Sequence, residues 1–151
     1  MWYLFHAHDT LVGRFSGEPV IVMTDFFNDI IWMFSVTGEK NYLASSPKPM
    51  GILALPQHGV LLWSNGTYDD EDDNTMYNIM KLPIQGEGSA TEIVSSVNDI
   101  YTLGYVEAED LLVWVTYYGN PTLESSKLDG SGRKKVVSLG FTPIDLVIVD
   151  R

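Results

Sequence analysis

The feature that most constrains the fold is a repeated pair of apolar runs. In Pro49–Asn65 a short apolar run, a turn and a second apolar run carrying a tryptophan follow one another, and Ile100–Thr116 repeats this order over the same length. A degenerate third copy spans Asp9–Asp25, and the first half of a fourth spans Pro143–Asp150. Self-similarity at this spacing is typical of arrays of one supersecondary unit.

Each complete copy is followed by two further runs rich in β-branched and aromatic residues, bounded by Gly, Pro, Asn, Asp or Ser. Such runs indicate strands, and no window shows apolar residues at helical spacing with caps. The pattern predicts an all-β fold of four-stranded antiparallel units, the blades of a β-propeller. The predicted blades cover about Asp9–Ser46, Pro47–Ser96 and Val97–Leu139, with orphan strands at Tyr3–Ala7 and Ile144–Val149.

Three blades do not close a ring, because propellers have typically about 4–8 blades. Open blade edges would also expose unpaired backbone groups. We therefore expect the 151 residues to be a portion of a longer chain, completed by the rest of its own propeller. A homodimer is the weaker alternative, because a blade made from Tyr3–Ala7 of one copy and Ile144–Val149 of another would lack its two middle strands.

Composition excludes several functional classes. The chain has 20 acidic and 9 basic residues, a formal net charge of −11 and no cysteine. A disulfide scaffold and a thiolate metal site are therefore excluded, and the charge argues against binding of nucleic acid, which needs clustered Lys and Arg. No apolar run approaches the roughly 18–20 residues that span a bilayer, so we expect no membrane insertion by this segment.

Several segments resemble the YWTD repeat, the class B repeat of the low-density-lipoprotein receptor. Pro49–Leu55 matches the Pro-x-Gly-φ-Ala-φ-Asp element that opens such a repeat, and Lys127–Arg133 matches its Leu-Asp-Gly-Ser turn. The namesake tetrad is present in altered form as Val22–Asp25, Leu62–Asn65 and Val113–Thr116. The resemblance assigns structural repeat positions to Asp25, Trp63, Trp114, Asp129 and Gly130.

This resemblance implies a portion of a six-bladed propeller with no catalytic role and no cofactor. Such propellers serve as protein-binding or structural modules in larger extracellular or membrane-anchored proteins. The resemblance thus implies an unidentified protein partner and an extracellular or cell-surface location. We expect Trp63 and Trp114 to pack between blades, where large aromatic side chains contribute much buried area.

The alternative is a metal-dependent propeller of the gluconolactonase-like or NHL type. In the first of these, carboxylate and amide side chains of the innermost strands hold a divalent ion on the central axis. Here the predicted inner strands contain one carboxylate, Asp145, with Asp9 and Asp150 at their ends. A hard divalent cation needs several convergent oxygen ligands, and no nucleophile motif is present. The sequence therefore favours a protein that is not an enzyme.

An acidic run lies between the second and third strands of the middle blade. From Asn65 to Leu82 the chain advances 17 residues, against 12 from Thr116 to Leu128, so this hairpin is the longer one. We interpret the run first as a solvated hairpin, next as a docking site for a basic partner, and last as a calcium loop, since it lacks the Gly and distal Glu of an EF-hand. Its members are Asp69, Asp70, Glu71, Asp72 and Asp73.

Three other patterns suggest chemistry. Asn65 begins an N-glycosylation sequon, which matters in a secreted protein, although its side chain is better placed to bond neighbouring backbone. His6 and His8 lie on one face of a predicted strand, and Asp9 follows them. Two histidines placed in this way could be two ligands of a zinc site, but an ordinary pair of residues on an edge strand is the favoured interpretation. Lys127–Lys135 forms a basic turn that we expect to be solvated.

Overall fold

The computed structural model describes residues 7–15, 18–69, 74–84, 88–117, 119–143 and 145–149. Blade 1 consists of β1 (Ala7–Phe15), β2 (Glu18–Asp25), β3 (Ile30–Ser35) and β4 (Lys40–Ser45). Blade 2 consists of β5 (Ile52–Leu55), β6 (Val60–Asp69), β7 (Asn74–Pro83) and β8 (Thr91–Asn98). Blade 3 consists of β9 (Ile100–Val106), β10 (Leu111–Thr116), β11 (Thr122–Ser126) and β12 (Lys134–Ser138).

Each blade is an antiparallel meander in which strands consecutive in sequence are neighbours in the sheet. The first strands of the three blades contact one another in turn, β1 against β5 and β5 against β9, so they are the inner strands. This arrangement confirms the prediction of an all-β fold made of propeller blades. In the described part of the chain, no helix has the length and hydropathy needed to cross a bilayer.

Only parts of the two predicted orphan strands, Ala7 of the first and residues 145–149 of the second, lie within the described residues. Tyr3 to His6 lie outside the described residues, whereas Ala7 is the first residue of β1 and pairs with Asp25. The register of β1 shifts between Ala7 and Thr10. The interruption predicted near Asp9 is therefore an irregularity within one strand, of the kind that a β-bulge produces.

The predicted strand Ile144–Val149 is wrong in its described part, residues 145–149, which is assigned to no strand. A strand is defined by its ladder, and no described strand pairs with this segment. The segment nevertheless lies against β9, because a Cβ built on Gly104 would be 3.1 Å from side-chain atoms of both Leu146 and Ile148. Val147 and Val149 are 74% and 76% exposed, so the two faces of the segment alternate as they do in a strand.

Blade 2 is buried on both faces. Leu61 and Trp63 of β6 belong to one apolar cluster that also contains Val22 of blade 1. Leu62 points the other way, into a second cluster that contains Leu112 of blade 3. Since successive side chains of a strand face opposite sides of the sheet, both must be apolar when both sides are covered. The burial of both faces explains why β6 has an uninterrupted apolar sequence, Val60–Trp63, before the polar residues Ser64 and Asn65.

The inner strands of blades 2 and 3 approach so closely that a side chain is excluded at Gly51. A Cβ at this position would lie 2.7 Å from the carbonyl oxygen of Tyr101. The fully buried Ser64 hydroxyl bridges the same junction. It accepts a hydrogen bond from the Gly51 amide at 3.0 Å and donates one to the Ile100 carbonyl at 2.9 Å.

A second contact between these blades is made by the turn that joins β11 and β12. Gly130 has φ +82°, and a Cβ there would overlap the carbonyl oxygen of Ile93 in β8. Arg133 follows the turn and donates from Nη1 to the Ser95 carbonyl at 2.8 Å, while its Nε bonds the Glu124 carboxylate at 2.9 Å. The Asp-Gly-Ser-Gly sequence therefore provides both the turn and the close approach to blade 2.

We predict that Gly130→Ala destabilises the fold far more than Gly132→Ala does. Both glycines have positive φ, +82° and +66°, so alanine strains either backbone by roughly 1–2 kcal/mol. Only Gly130 faces a neighbouring backbone, whereas a Cβ on Gly132 would meet nothing within 4 Å. Urea unfolding should show an additional loss of about 1–3 kcal/mol for Gly130→Ala. Equal losses for the two variants would contradict this contact between blades.

Candidate functional site

The fourth position of each tetrad is a buried polar residue, and in blades 1 and 3 it caps the turn after the second strand. Asp25 is 3% exposed, and its carboxylate accepts from the Asn28 amide at 3.2 Å and from the Asn28 side chain at 2.8–2.9 Å. Thr116 is 4% exposed, and its hydroxyl accepts from the Thr122 amide at 2.9 Å. These side chains satisfy backbone donors that a tight turn would otherwise leave unpaired.

Asn65, the equivalent residue of blade 2, has no turn to cap. It pairs with Asn78 in the middle of the β6–β7 ladder, is 9% exposed, and its Oδ1 has no hydrogen-bond partner among the described residues. The expectation that this side chain bonds neighbouring backbone is therefore not met at Oδ1. The burial also argues against the suggested glycan, since a glycosylated asparagine must direct its Nδ2 to solvent.

The longer hairpin of blade 2 extends its two strands instead of forming a wide loop. Ten residue pairs join β6 to β7, from Val60↔Pro83 to Asp69↔Asn74. The β2–β3 hairpin has six pairs and β10–β11 has four. The acidic run therefore follows the far end of the longest ladder: Asp69 is its last strand residue, while Asp70, Glu71, Asp72 and Asp73 lie outside the described residues.

The two tetrad tryptophans are buried between blades. Trp63 is 1% exposed and donates from Nε1 to the Ser46 hydroxyl at 2.8 Å. Trp114 is fully buried, and its Nε1 has no partner. Seventeen positions before Trp63 stands Ser46, and seventeen before Trp114 stands Val97, which offers no side-chain acceptor. Both copies of the repeat thus have the buried indole ring, but the hydrogen bond from Nε1 to a side chain seventeen positions earlier is found for Trp63 and not for Trp114.

A cleft of about 560 Å³ opens between blades 2 and 3 at the end where their first two strands are joined. Two short 3₁₀ turns form this inner-turn end, Pro56–His58 before β6 and Glu107–Glu109 before β10. The turn after β11 completes the wall. The lining residues that bear on its chemistry are His58, Tyr105, Glu107, Asp110, Lys127 and Asp129. The acidic hairpin lies at the opposite end of β6.

Tyr105 and Asp110 are joined at the base of the 3₁₀ turn of blade 3. The Tyr105 hydroxyl donates to Asp110 Oδ1 at 2.5 Å, and the His58 ring meets the tyrosine ring edge to face at 5.0 Å. Burial, the hydrogen bond to Asp110 and the nearby Asp110 and Glu107 charges raise the pKa of Tyr105 to about 12. Its phenol therefore stays neutral and holds the Asp110 carboxylate in place.

Asp110 can occupy its position because Asp and Asn tolerate left-handed backbone better than most residues. It has φ 51° and ends the 3₁₀ turn, as Gly59 with φ 64° does in blade 2. In the turn after β11, hydrogen bonds from Ser131 lower the pKa of Asp129. The cleft thus contains three carboxyl groups, those of Glu107, Asp110 and Asp129, and one ammonium group, that of Lys127.

We predict that alkaline pH weakens the fold through Tyr105. An unfolded tyrosine loses its proton near its ordinary pKa of 10.0, whereas folded Tyr105 keeps it to about 12. Above pH 10 the unfolded state therefore binds fewer protons than the folded state, and stability falls as pH rises. Urea midpoints measured between neutral pH and pH ~11 should fall less steeply in Tyr105→Phe. Identical slopes in both proteins would contradict the raised pKa.

Of the remaining candidate ligands, Asp145 is the one whose side chain the structure describes. Asp145 Oδ1 accepts from the Thr102 hydroxyl at 3.2 Å and from the Leu146 amide at 2.7 Å, so it joins the 145–149 segment to β9. His6 and Asp150 lie outside the described residues, and His8 and Asp9 are described only as backbone of β1. Among the described residues, no group of three or more His, Cys, Asp or Glu could hold a metal ion.

The sequence did not point to the cleft, although the repeat carries a signal. Fifty-one positions before Tyr105 and Asp110, blade 2 has Ala54 and Gly59. Blade 3 thus replaces two small residues of the repeat by a phenol and a carboxylate that bond each other. Such a departure from the repeat marks a candidate site, because the fold itself does not require these two residues.

No protein-family model and no curated protein matches the chain. Solved structures that are similar to it include the following two. One, from a nidogen/laminin complex, is 18% identical with a TM-score of 0.67, and the match covers 82% of this chain and 45% of that one. The other, a Mycobacterium tuberculosis puromycin-hydrolyzing peptidase, is 11% identical with a TM-score of 0.61, covering 85% and 24%.

At these identities the likeness shows the fold alone. The structural match supports a β-propeller fold. The chain spans less than half the length of either similar protein chain.

Proposed function

We propose that this chain is a protein-binding portion of a YWTD-like propeller with no catalytic role, within a larger extracellular or membrane-anchored protein. The similarity to the nidogen/laminin structure supports the propeller fold on which the proposal rests. The altered tetrads support it as well. Their polar fourth positions cap turns in blades 1 and 3 and their tryptophans pack between blades, which are structural roles.

The observation that carries the proposal is the ten-pair ladder of β6 and β7. This ladder has more pairs than those of the neighbouring hairpins, and the acidic run follows in sequence from its last strand residue, Asp69. Like charges gathered in such a run create a negative potential that steers a basic partner and fixes its orientation. We therefore assign the docking of a basic protein partner to Asp69, Asp70, Glu71, Asp72 and Asp73.

The aromatic turn of blade 1 adds apolar surface at the same end. Phe26 packs against the apolar cluster shared by blades 2 and 3. The Phe27 ring contacts the Phe26 ring edge to face, with the ring centroids 5.3 Å apart, and Phe27 is 69% exposed. Exposed aromatic side chains beside charged ones are common where proteins bind each other. The partner of the acidic hairpin would contact this aromatic ring as well.

We predict that neutralising the acidic run weakens binding of a lysine-rich peptide. The test variant combines Asp70→Asn, Glu71→Gln, Asp72→Asn and Asp73→Asn. Isothermal titration at low salt should show at least about tenfold weaker binding than for the unaltered chain. Binding by the unaltered chain should itself weaken as salt screens the charges.

The matched control removes the same number of charges from exposed sites elsewhere. It combines Glu18→Gln, Glu39→Gln, Glu92→Gln and Glu109→Gln, all at exposed residues. The control should bind the peptide about as well as the unaltered chain. If both variants lose binding equally, net charge alone attracts the peptide and the hairpin is not a docking site.

The metal-dependent propeller is the second candidate, and Asp145 is its test. The two hydrogen bonds that Asp145 Oδ1 accepts join the 145–149 segment to β9, which is a structural role. Elemental analysis of the purified protein distinguishes the two candidates. A stoichiometric divalent ion that is lost in Asp145→Ala would overturn the non-catalytic assignment.

A further inference from the structure

The cleft at the inner-turn end lies away from the acidic hairpin and has no part in the proposed docking. Its volume of about 560 Å³ falls in the range of small-ligand clefts, roughly 300–1,000 Å³. It is built by two blades at once, from the turns before β6 and β10 and the turn after β11. The contacts of Gly51 and Gly130 hold those two blades together, so the walls are set by the fold.

The walls of the cleft combine negative charge with aromatic and apolar surface. The cleft is lined by three carboxyl groups and one ammonium group, so the net charge of its lining is negative. His58 and Tyr105 supply two rings fixed edge to face, and the half-buried Leu128 adds an aliphatic surface. An anion would meet these carboxylates unfavourably, and an uncharged apolar ligand would leave them without a partner.

The position of Asp110 decides the geometry of recognition. Its Oδ1 accepts a hydrogen bond from the Tyr105 hydroxyl, so the carboxylate is oriented before any ligand arrives. Preorganised acceptors bind more tightly, because no ordering entropy is lost on binding. A guanidinium is planar, offers paired donors to a carboxylate and stacks on aromatic rings, whereas an ammonium is a compact and strongly hydrated charge.

We infer that the cleft between blades 2 and 3 binds the guanidinium of an arginine side chain presented by a partner. Asp110 and Glu107 accept its hydrogen bonds, and the His58–Tyr105 pair provides the surface on which the planar group rests. Lys127 and Asp129, in the turn after β11, also line the cleft and limit the orientation of the rest of the residue.

The test uses two probes of the same shape, N-acetyl-arginine N-methylamide and its uncharged citrulline counterpart. NMR titration of the unaltered chain with the arginine probe should shift the amide signals of His58, Tyr105 and Asp110. The citrulline probe should bind at least about tenfold more weakly, since it lacks the charge-assisted hydrogen bonds. Equal shifts with both probes, no shifts at all, or shifts confined to the hairpin end would overturn the inference.

Asp110→Asn tests the residue itself. Asparagine tolerates the left-handed backbone and still offers Tyr105 an oxygen, so the fold should be kept. Affinity for the arginine probe should fall about tenfold. Glu109→Gln is the matched control, because it removes one charge from the same 3₁₀ turn at a residue that does not line the cleft. Equal losses in both variants would show a general charge effect and reject the site.

The failure of this inference is distinguishable from that of the proposed function. The hairpin variant should leave binding of the arginine probe in the cleft unchanged. Asp110→Asn should in turn leave the binding of the lysine-rich peptide unchanged. A loss of both activities in either variant would contradict the separation of the two surfaces.

Discussion

The structure depends on how closely the inner strands of neighbouring blades approach each other. At Gly51 the backbone of blade 2 lies so near Tyr101 that only hydrogen fits between them. The buried Ser64 hydroxyl bonds both sides of that junction, to Gly51 and Ile100. These contacts leave the apolar faces of blade 2 covered on both sides, and burial of large residues such as Trp63 and Trp114 supplies the stabilisation. The cleft and the acidic hairpin are opposite ends of this same stacked unit.

A repeated sequence position need not have one role in every blade. The fourth tetrad residue caps a turn where the hairpin is short, as Asp25 and Thr116 do. In blade 2 the hairpin is longer, so Asn65 lies within a ladder and its Oδ1 has no partner among the described residues. Burial of an unsatisfied oxygen costs roughly 1–3 kcal/mol. Asn65 therefore has a different structural role from Asp25 and Thr116, although it lies at the same position of the repeat.

The repeat made the architecture predictable, because equal spacing of strand pairs and tryptophans leaves few alternatives to stacked blades. Structural details that depend on which strands pair with each other could not be predicted from the sequence. Alternation alone cannot separate a strand from an extended segment without a ladder, and this explains the error at residues 145–149. Nor can it show that an insertion lengthens a ladder rather than a loop, as in β6 and β7. The cleft was missed because Tyr105 and Asp110 meet through a short turn whose backbone conformation the sequence does not reveal.

The central claim is that the blades form one cooperative unit through the Gly51–Ser64 junction, and Ser64→Ala tests it most directly. The variant would be made in two backgrounds, with either Trp63 or Trp114 as the remaining tryptophan, so that fluorescence follows blade 2 or blade 3 during urea unfolding. The account predicts coincident transitions, both shifted by the same loss of about 1–3 kcal/mol. A shift seen by Trp63 alone, or separate transitions for the two blades, would contradict it.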